Sequence, residues 1–270
     1  MVRFSATVTL QYDTPFSPFG ATEFDEALLW LEKSGFDAAE ICICNYDRVD
    51  VASLKNKLDE HGLICSTIST GQARGLEGIS LLDTDTAKQK AAQKRISEHI
   101  EAATILGSYV TIGLIRGTCA PEQKESSESL LIERLKPCVD YAGEKNVCLI
   151  IEPINRYETG IINNTLEAAS FIERMGNPDS LGILWDTFHA NIEDGDFGEC
   201  IKTMGKKHKY LHIADSNRAF PGNGHFDFSA LFEKLNEAGY DGYISFECFN
   251  HPSAEHVKKH AAEFIATRYP

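Results

Sequence analysis

Short runs rich in β-branched and aromatic residues alternate with longer segments of helical spacing, eight times along the chain. The runs read FSATVTL (residues 4–10), AAEICIC (38–44), ICSTIS (64–69), YVTIGLI (109–115), VCLIIEPI (147–154), LGILWDT (181–187), YLHIAD (210–215) and YISFECF (243–249). Several are apolar on both faces, the pattern of strands covered on both sides. The intervening segments carry helix start and stop chemistry. TEFDEALLWLEKSG opens on Thr22 and closes at Gly35, residues 48–62 end at Gly62, and residues 86–107 end at Gly107. NTLEAASFIERMGN closes at Gly176, FDFSALFEKLNEAG at Gly239, and a last helix around 253–268 follows Pro252. No Ser/Gly or Pro tract interrupts this rhythm. Eight such units predict an α/β fold, a single (β/α)8 TIM barrel forming one domain over residues 1–270. The alternative, an open doubly wound sheet, favours a Gly-rich phosphate turn after an early strand, and the sequence has none.

A barrel of this kind builds its active site at the C-terminal ends of its strands. Side chains alternate along a strand, so faces can be counted. Glu152 shares a face with Cys148 and Ile150, and Asp186 with Gly182 and Leu184. His212 shares one with Tyr210, and Glu247 with Tyr243 and Ser245. Each of the four ends, or nearly ends, its run, and successive intervals are roughly one β/α unit long. Taken singly, an acid at a strand end usually caps the next helix, and a strand histidine is usually a hydrogen-bonded core residue. Four at matched positions on successive strands converge on one point. Three carboxylates there would repel one another unless a cation neutralises them. Three oxygens, one imidazole nitrogen and no thiolate suit Mn²⁺ first, with Mg²⁺ or Co²⁺ as alternatives.

Composition narrows the remaining classes. The net charge of −14 and pI near 5.1 argue against nucleic acid as a partner. No apolar run approaches the roughly 18–20 residues of a membrane span. Ser5, Thr7, Thr9 and Gln11 interrupt any signal-peptide core, so the expected location is cytoplasmic. The eight cysteines are scattered, and Cys42 and Cys44 lack a second pair at zinc-site spacing. Cys42, Cys65, Cys148 and Cys248 fall within strand runs, where cysteine acts as a small hydrophobe.

The stretches IEPINRYET (151–159), WDTFHANIE (185–193), HIADSNR (212–218), PGNGHFDF (221–228) and SFEC (245–248) resemble those of the ketose 3-epimerases. That group includes the tagatose/allulose 3-epimerases of the xylose isomerase-like barrel superfamily. The resemblance is dense in the C-terminal half, whereas the N-terminal half matches in rhythm. Within the group, STGQARGLEGISL (69–81), TIGLIRG (111–117), SNR and GHFDF are most similar to 5-keto-gluconate epimerases. The resemblance implies that Glu152, Asp186, His212 and Glu247 bind the metal, and that Glu152 and Glu247 double as the catalytic acid/base pair. It implies substrate contacts for Glu158, His189 and Arg218, a ketose or keto sugar acid as substrate, and a homo-oligomer, dimer or tetramer. Inverting a carbon beside a ketone fits that set. One carboxylate removes the proton, a metal-stabilised cis-enediolate forms, and the other carboxylate returns a proton on the opposite face.

Each substrate-contact residue also has a plainer reading. Arg218 could be a surface charge, although its fixed cation suits an enediolate or a carboxylate. His189 belongs by position to the loop after Asp186, and Glu158 has an ion pair with Arg156 as its alternative. Phe249 packs beside the site or in the core. Gly222 and Gly224 form an anion-cradling turn or simply a tight loop. Glu40 is an interior polar group without an assigned function. Rival activities on the same scaffold are aldose–ketose isomerisation of the hydroxypyruvate isomerase type and inosose dehydration. A DNA-repair endonuclease would need more strand-end histidines and a basic face. A noncatalytic sugar-binding barrel would lack Glu152 or Glu247, and both are present.

Overall fold

The computed structural model describes residues 2–267. Eight parallel strands close into a barrel in chain order: β1 (Arg3–Thr9), β2 (Ala38–Cys42), β3 (Ile64–Ser69), β4 (Tyr109–Ile112), β5 (Leu149–Ile151), β6 (Leu181–Asp186), β7 (His208–Ile213) and β8 (Tyr243–Phe246). Closure is made by β8 against β1, with Ser5 opposite Ser245 and Ala6 opposite Phe246. The strands lie within the runs expected for them, apart from the first residue of β1 and the start of β7. The fourth and fifth are shorter than those runs, because Leu114–Arg116 turn into a short 3-10 helix and β5 ends at Ile151.

Around the barrel lie α1 (Phe24–Ser34), α2 (Val51–Glu60), α3 (Gly71–Glu77), α4 (Thr86–Leu106), α5 (Lys124–Glu144), α6 (Thr165–Arg174), α7 (Thr187–Glu193), α8 (Phe197–Met204), α9 (Phe228–Glu237) and α10 (Ala254–Thr267). Helix α1 buries Phe24, Ala27, Leu28 and Leu31, one apolar stripe at spacings of three and four. Asp50, Asp85 and Asn164 cap α2, α4 and α6 by accepting backbone N–H groups. Gly35 and Gly107 end α1 and α4 in the left-handed conformation, which costs glycine least. Helices α3, α5, α7 and α8 are not singled out by the sequence pattern. Residue 268 of the last expected helix lies outside the described residues.

Two apolar regions form. The larger fills the space between strands and helices. Inside the barrel, Ala38, Ile150, Leu184, Tyr210 and Tyr243 form a separate plug. Ile150, Leu184 and Tyr210 sit one step below Glu152, Asp186 and His212 on the same faces, as the alternation predicts. The plug fills the lower barrel and separates its interior from the strand ends above it. All eight cysteines are free; Cys42 and Cys65 lie in β2 and β3, but Cys148 precedes β5 and Cys248 follows β8. Among the described residues, no helix is long and apolar enough to cross a membrane.

Candidate active site

Glu152 directly follows β5, Asp186 ends β6, His212 lies near the end of β7, and Glu247 directly follows β8. Each offers one ligand atom, and the four atoms lie within 4.8 Å of one another. His212 Nδ1 is 3.4 Å from Glu247 Oε2, 3.7 Å from Asp186 Oδ2 and 3.8 Å from Glu152 Oε1. The sequence-based grouping of these four is what the fold brings together. Asp186 serves both of the readings open to it. Its Oδ1 caps α7 by accepting the Phe188 N–H at 2.7 Å, while its Oδ2 turns to the cluster.

Whether a cation fits can be judged from the polar atoms. Asp186 Oδ2 and His212 Nδ1 are buried and have no hydrogen-bond partner. Unpartnered buried acceptors beside two further carboxylates are costly unless something positive sits among them. The donor set of three carboxylate oxygens and one imidazole nitrogen fits a hard or borderline divalent ion. The electrostatics already favour positive charge. Burial works to lower the pKa of His212, yet the carboxylates of Glu40 and Glu247 outweigh it and hold the value well above that of an ordinary histidine. Burial likewise works to raise Asp186, but the imidazoles of His189 and His212 and the Arg218 guanidinium hold it below its usual range. Glu247 goes the other way. Burial pushes it up to about 7, aided by Glu152 and opposed by His212 and Arg218.

Above the cluster, Arg218 is buried with 6% exposure, which removes the surface-charge reading. Its guanidinium lies between the rings of Phe16 and Phe188, at 4.6 and 4.8 Å from their centroids. It donates to Glu247 Oε2 at 2.7 Å and approaches His189 Nε2 at 3.2 Å. Its backbone has φ +59°, a left-handed conformation uncommon outside glycine and often kept at functional sites. His189 sits in the first turn of α7 rather than in a loop, and its Nδ1 lies 2.7 Å from Asn155 Nδ2. Glu158 does not pair with Arg156. Arg156 holds Glu193 at 2.8 Å, whereas Glu158 accepts from Asn155 at 2.9 Å and stands 3.7 Å from Arg218. Phe249 stacks on Phe16 at 5.3 Å and so backs the wall that holds Arg218.

The four candidate ligand positions border, or lie directly beneath, a cavity of about 320 Å³. The rest of its wall includes the hydroxyl residues Thr7, Ser69, Thr70 and Thr111, together with Asp13, Gln72 and Leu76. Gly113 is part of that wall for a steric reason, since a Cβ there would stand 2.9 Å from Glu152 Oε2. A larger cleft of about 1160 Å³ opens at the other end of the barrel, near Arg3, Lys209 and Gly242, far from the cluster.

Two supports are not visible to sequence reasoning. Arg116 is fully buried and directs its guanidinium at the carbonyls of Gly113, Ile161 and Ile162, at 3.0 to 3.3 Å. It thereby ties the end of β4 to the loop that carries Asn155 and Glu158. Ile162 in that loop has φ +55°, a genuine strain for a β-branched residue. The second concerns the glycine-rich turn after Arg218. It does cradle an anion, but the anion is the protein's own Asp215, which accepts the N–H groups of Ser216 and Gly222 at 2.7 Å and of Phe226 at 3.0 Å. Of the two readings open to Gly222 and Gly224, the tight loop, closed on Asp215, is the one that holds. Phe16 and Phe188 had no periodic signal, the first because it lies in a proline-containing loop.

The sequence model of the xylose isomerase-like TIM barrel family matches residues 28–268. The chain belongs to that family. Within this family its ketose 3-epimerase character is also plain. A ketose 3-epimerase of Arthrobacter globiformis is 30% identical over 222 residues, covering 81% of this chain and 75% of that protein. A 3-dehydro-D-guloside 4-epimerase of Escherichia coli is 26% identical over 234 residues, covering 82% of this chain and 86% of that protein. Among solved structures, a D-allulose 3-epimerase from Methylomonas sp. superposes with a TM-score of 0.82 at 24% identity, covering 99% of this chain and 98% of that one.

Proposed function

We propose that this family member is a divalent-metal-dependent sugar epimerase that inverts C3 of a ketose. The observation that carries the proposal is the placement of Glu152 and Glu247 on one cavity, with their carboxylates sharing the cluster with Asp186 and His212. In this reading those four residues hold the cation, Mn²⁺ foremost, and Glu158, His189 and Arg218 bind the sugar. The cation, when bound, would polarise the ketone and offset the charge that develops on its oxygen. Glu152 takes the proton from C3, and the C–H electron pair passes into a C2–C3 double bond. Glu247, protonated, returns a proton to the other face of C3. Each turnover leaves Glu152 protonated and Glu247 ionised, so the reverse substrate meets the pair with exchanged roles. Arg218 keeps a fixed positive charge beside Glu247, and its aromatic sandwich excludes water.

A neutral ketose is favoured over a keto sugar acid. Among the cavity's lining residues Arg218 is the one Lys or Arg, and it is already paired with Glu247, while Asp13 and Glu158 border the same space. A distal carboxylate would meet acids rather than a free cation. We further read residues 1–270 as one domain that works in the cytoplasm as a homo-oligomer.

The test is incubation with Mn²⁺ and a panel of ketohexoses and keto-hexuronates in D₂O. Deuterium at C3 with inversion is the expected result. Label at C1 would identify an aldose–ketose isomerase, inversion at C4 a 4-epimerase, and loss of water a dehydratase; each outcome replaces the proposal.

A further inference from the structure

We infer that Glu40, on the opposite side of the barrel from the four candidate ligands, is a positioning residue that fixes which nitrogen of His212 faces the cation. The inference rests on the proposed cation site but not on which sugar is turned over.

Glu40 is fully buried inside the barrel. The pairing of β2 with β3 shifts register between Ala39 and Glu40, an irregularity of the kind that re-aims a side chain. Its Oε1 accepts the Ser69 hydroxyl at 2.6 Å, and its Oε2 lies 3.1 Å from the Tyr210 hydroxyl and 2.9 Å from His212 Nε2. The Tyr210 oxygen lies 2.7 Å from Ser66 Oγ, which is 2.8 Å from Ser5 Oγ. Because an ionised carboxylate can only accept, Tyr210 must donate to Glu40, Ser66 to Tyr210, and Ser5 to Ser66. The chain of hydroxyls therefore points one way, toward Glu40, and needs an acceptor there.

The same logic places a proton on His212 Nε2 and, in the neutral ring, leaves the Nδ1 lone pair facing Glu152, Asp186 and Glu247. A purely structural ion pair between Glu40 and His212 would account for Nε2 but not for Nδ1, which is buried without a partner. A carboxylate behind a metal-binding imidazole sets its tautomer and orientation and strengthens it as a ligand. An amide at position 40 has one acceptor atom where the carboxylate has two. In one of its two orientations its N–H faces Nε2, drives the ring proton to Nδ1 and blocks the ligand position.

Two measurements test this. In the Mg²⁺-loaded wild-type protein, long-range ¹H–¹⁵N spectra should show the His212 ring protonated at Nε2 and bare at Nδ1. A proton on Nδ1 in that loaded state would overturn the inference without any variant having to fold. Mn²⁺ titration by calorimetry should then show Glu40→Gln binding about 10- to 100-fold more weakly than wild type, with Glu40→Asp recovering part of the loss. Equal affinity in wild type and Glu40→Gln overturns the role of Glu40 while leaving the cation site intact. Failure of the wild-type protein to bind either ion removes the cation site itself, and this inference with it.

Discussion

The two halves of the barrel mouth are built from different chemistry. Strands β5 to β8 contribute Glu152, Asp186, His212 and Glu247, all within one small cluster. Strands β1 to β4 and the loops after them offer the same cavity mostly uncharged groups, Thr7, Cys42, Ser69, Thr111 and Gly113 among them, with Asp13 as the one acid. Glu40 on β2 is a further acid of this half, but it lies beneath the cavity against His212 rather than in its lining. One half carries the groups proposed to move protons and hold a cation, whereas the other mainly shapes the cavity and offers hydrogen bonds. On the proposed reading, reaction belongs to the β5–β8 half, which also carries the sugar contacts Glu158, His189 and Arg218, while the β1–β4 half serves recognition alone.

The sharpest way to break this comparison is to remove proton transfer from the reactive half. Glu152→Gln and Glu247→Gln should each lower kcat by about 10²- to 10⁴-fold with folding intact, read by polarimetry or product chromatography. Retained turnover in either variant sinks the two-carboxylate reading.

Next in size is the tie between the halves. Arg116→Met would leave the carbonyls of Gly113, Ile161 and Ile162 without their donor in a dry site. Thermal or denaturant unfolding should show a loss of about 2–4 kcal/mol. A variant as stable as wild type would mean that the pairing of β4 with β5 and of β8 with β1 joins the halves without it.

Part of the acid sensitivity should come from outside the mouth, from one buried histidine in each half. Burial pushes His99 on α4 and His208 on β7 down to about 3, so each stays neutral when folded and protonates only on unfolding. Their contribution is complete above the ordinary histidine value of about 6.5 and declines as pH falls below it, by up to about 1.4 kcal/mol per pH unit for each. Unfolding free energies measured from pH 7 to 5 should fall, less steeply than these two histidines alone give, because Glu247, raised to about 7, takes up its proton in the folded state over the same range. His99→Gln should flatten the slope, and an unchanged slope would count against that residue.

The smallest effect belongs to the recognition half. Thr7→Val should raise KM by about tenfold or less with kcat nearly unchanged, the loss of one hydrogen bond. A kcat loss rivalling that of Glu152→Gln would end the division between the halves.

Much of this is legible in the sequence, for identifiable reasons. Buried parallel strands are continuous apolar runs, and alternation by two is enough to put Ile150, Leu184 and Tyr210 beneath Glu152, Asp186 and His212. Helix α5 is harder to read, since its opening KESSES is polar and Pro137 interrupts it, although Leu131, Leu135, Cys138 and Val139 do share a buried face. The role of Glu40 is not legible, because its partner His212 is 172 residues away and the contact depends on how the closed barrel aims both side chains. Likewise the pairing of Arg156 with Glu193, which frees Glu158 for the cavity, depends on where α7 ends. Side-chain alternation is local, whereas partner choice across the barrel is not.

The most direct test of the central claim is anomalous diffraction on both sides of the manganese absorption edge, from crystals equilibrated with Mn²⁺. The account predicts a single strong peak enclosed by Glu152, Asp186, His212 Nδ1 and Glu247. A structure with no peak there, or with those side chains turned away from a common centre, would contradict it.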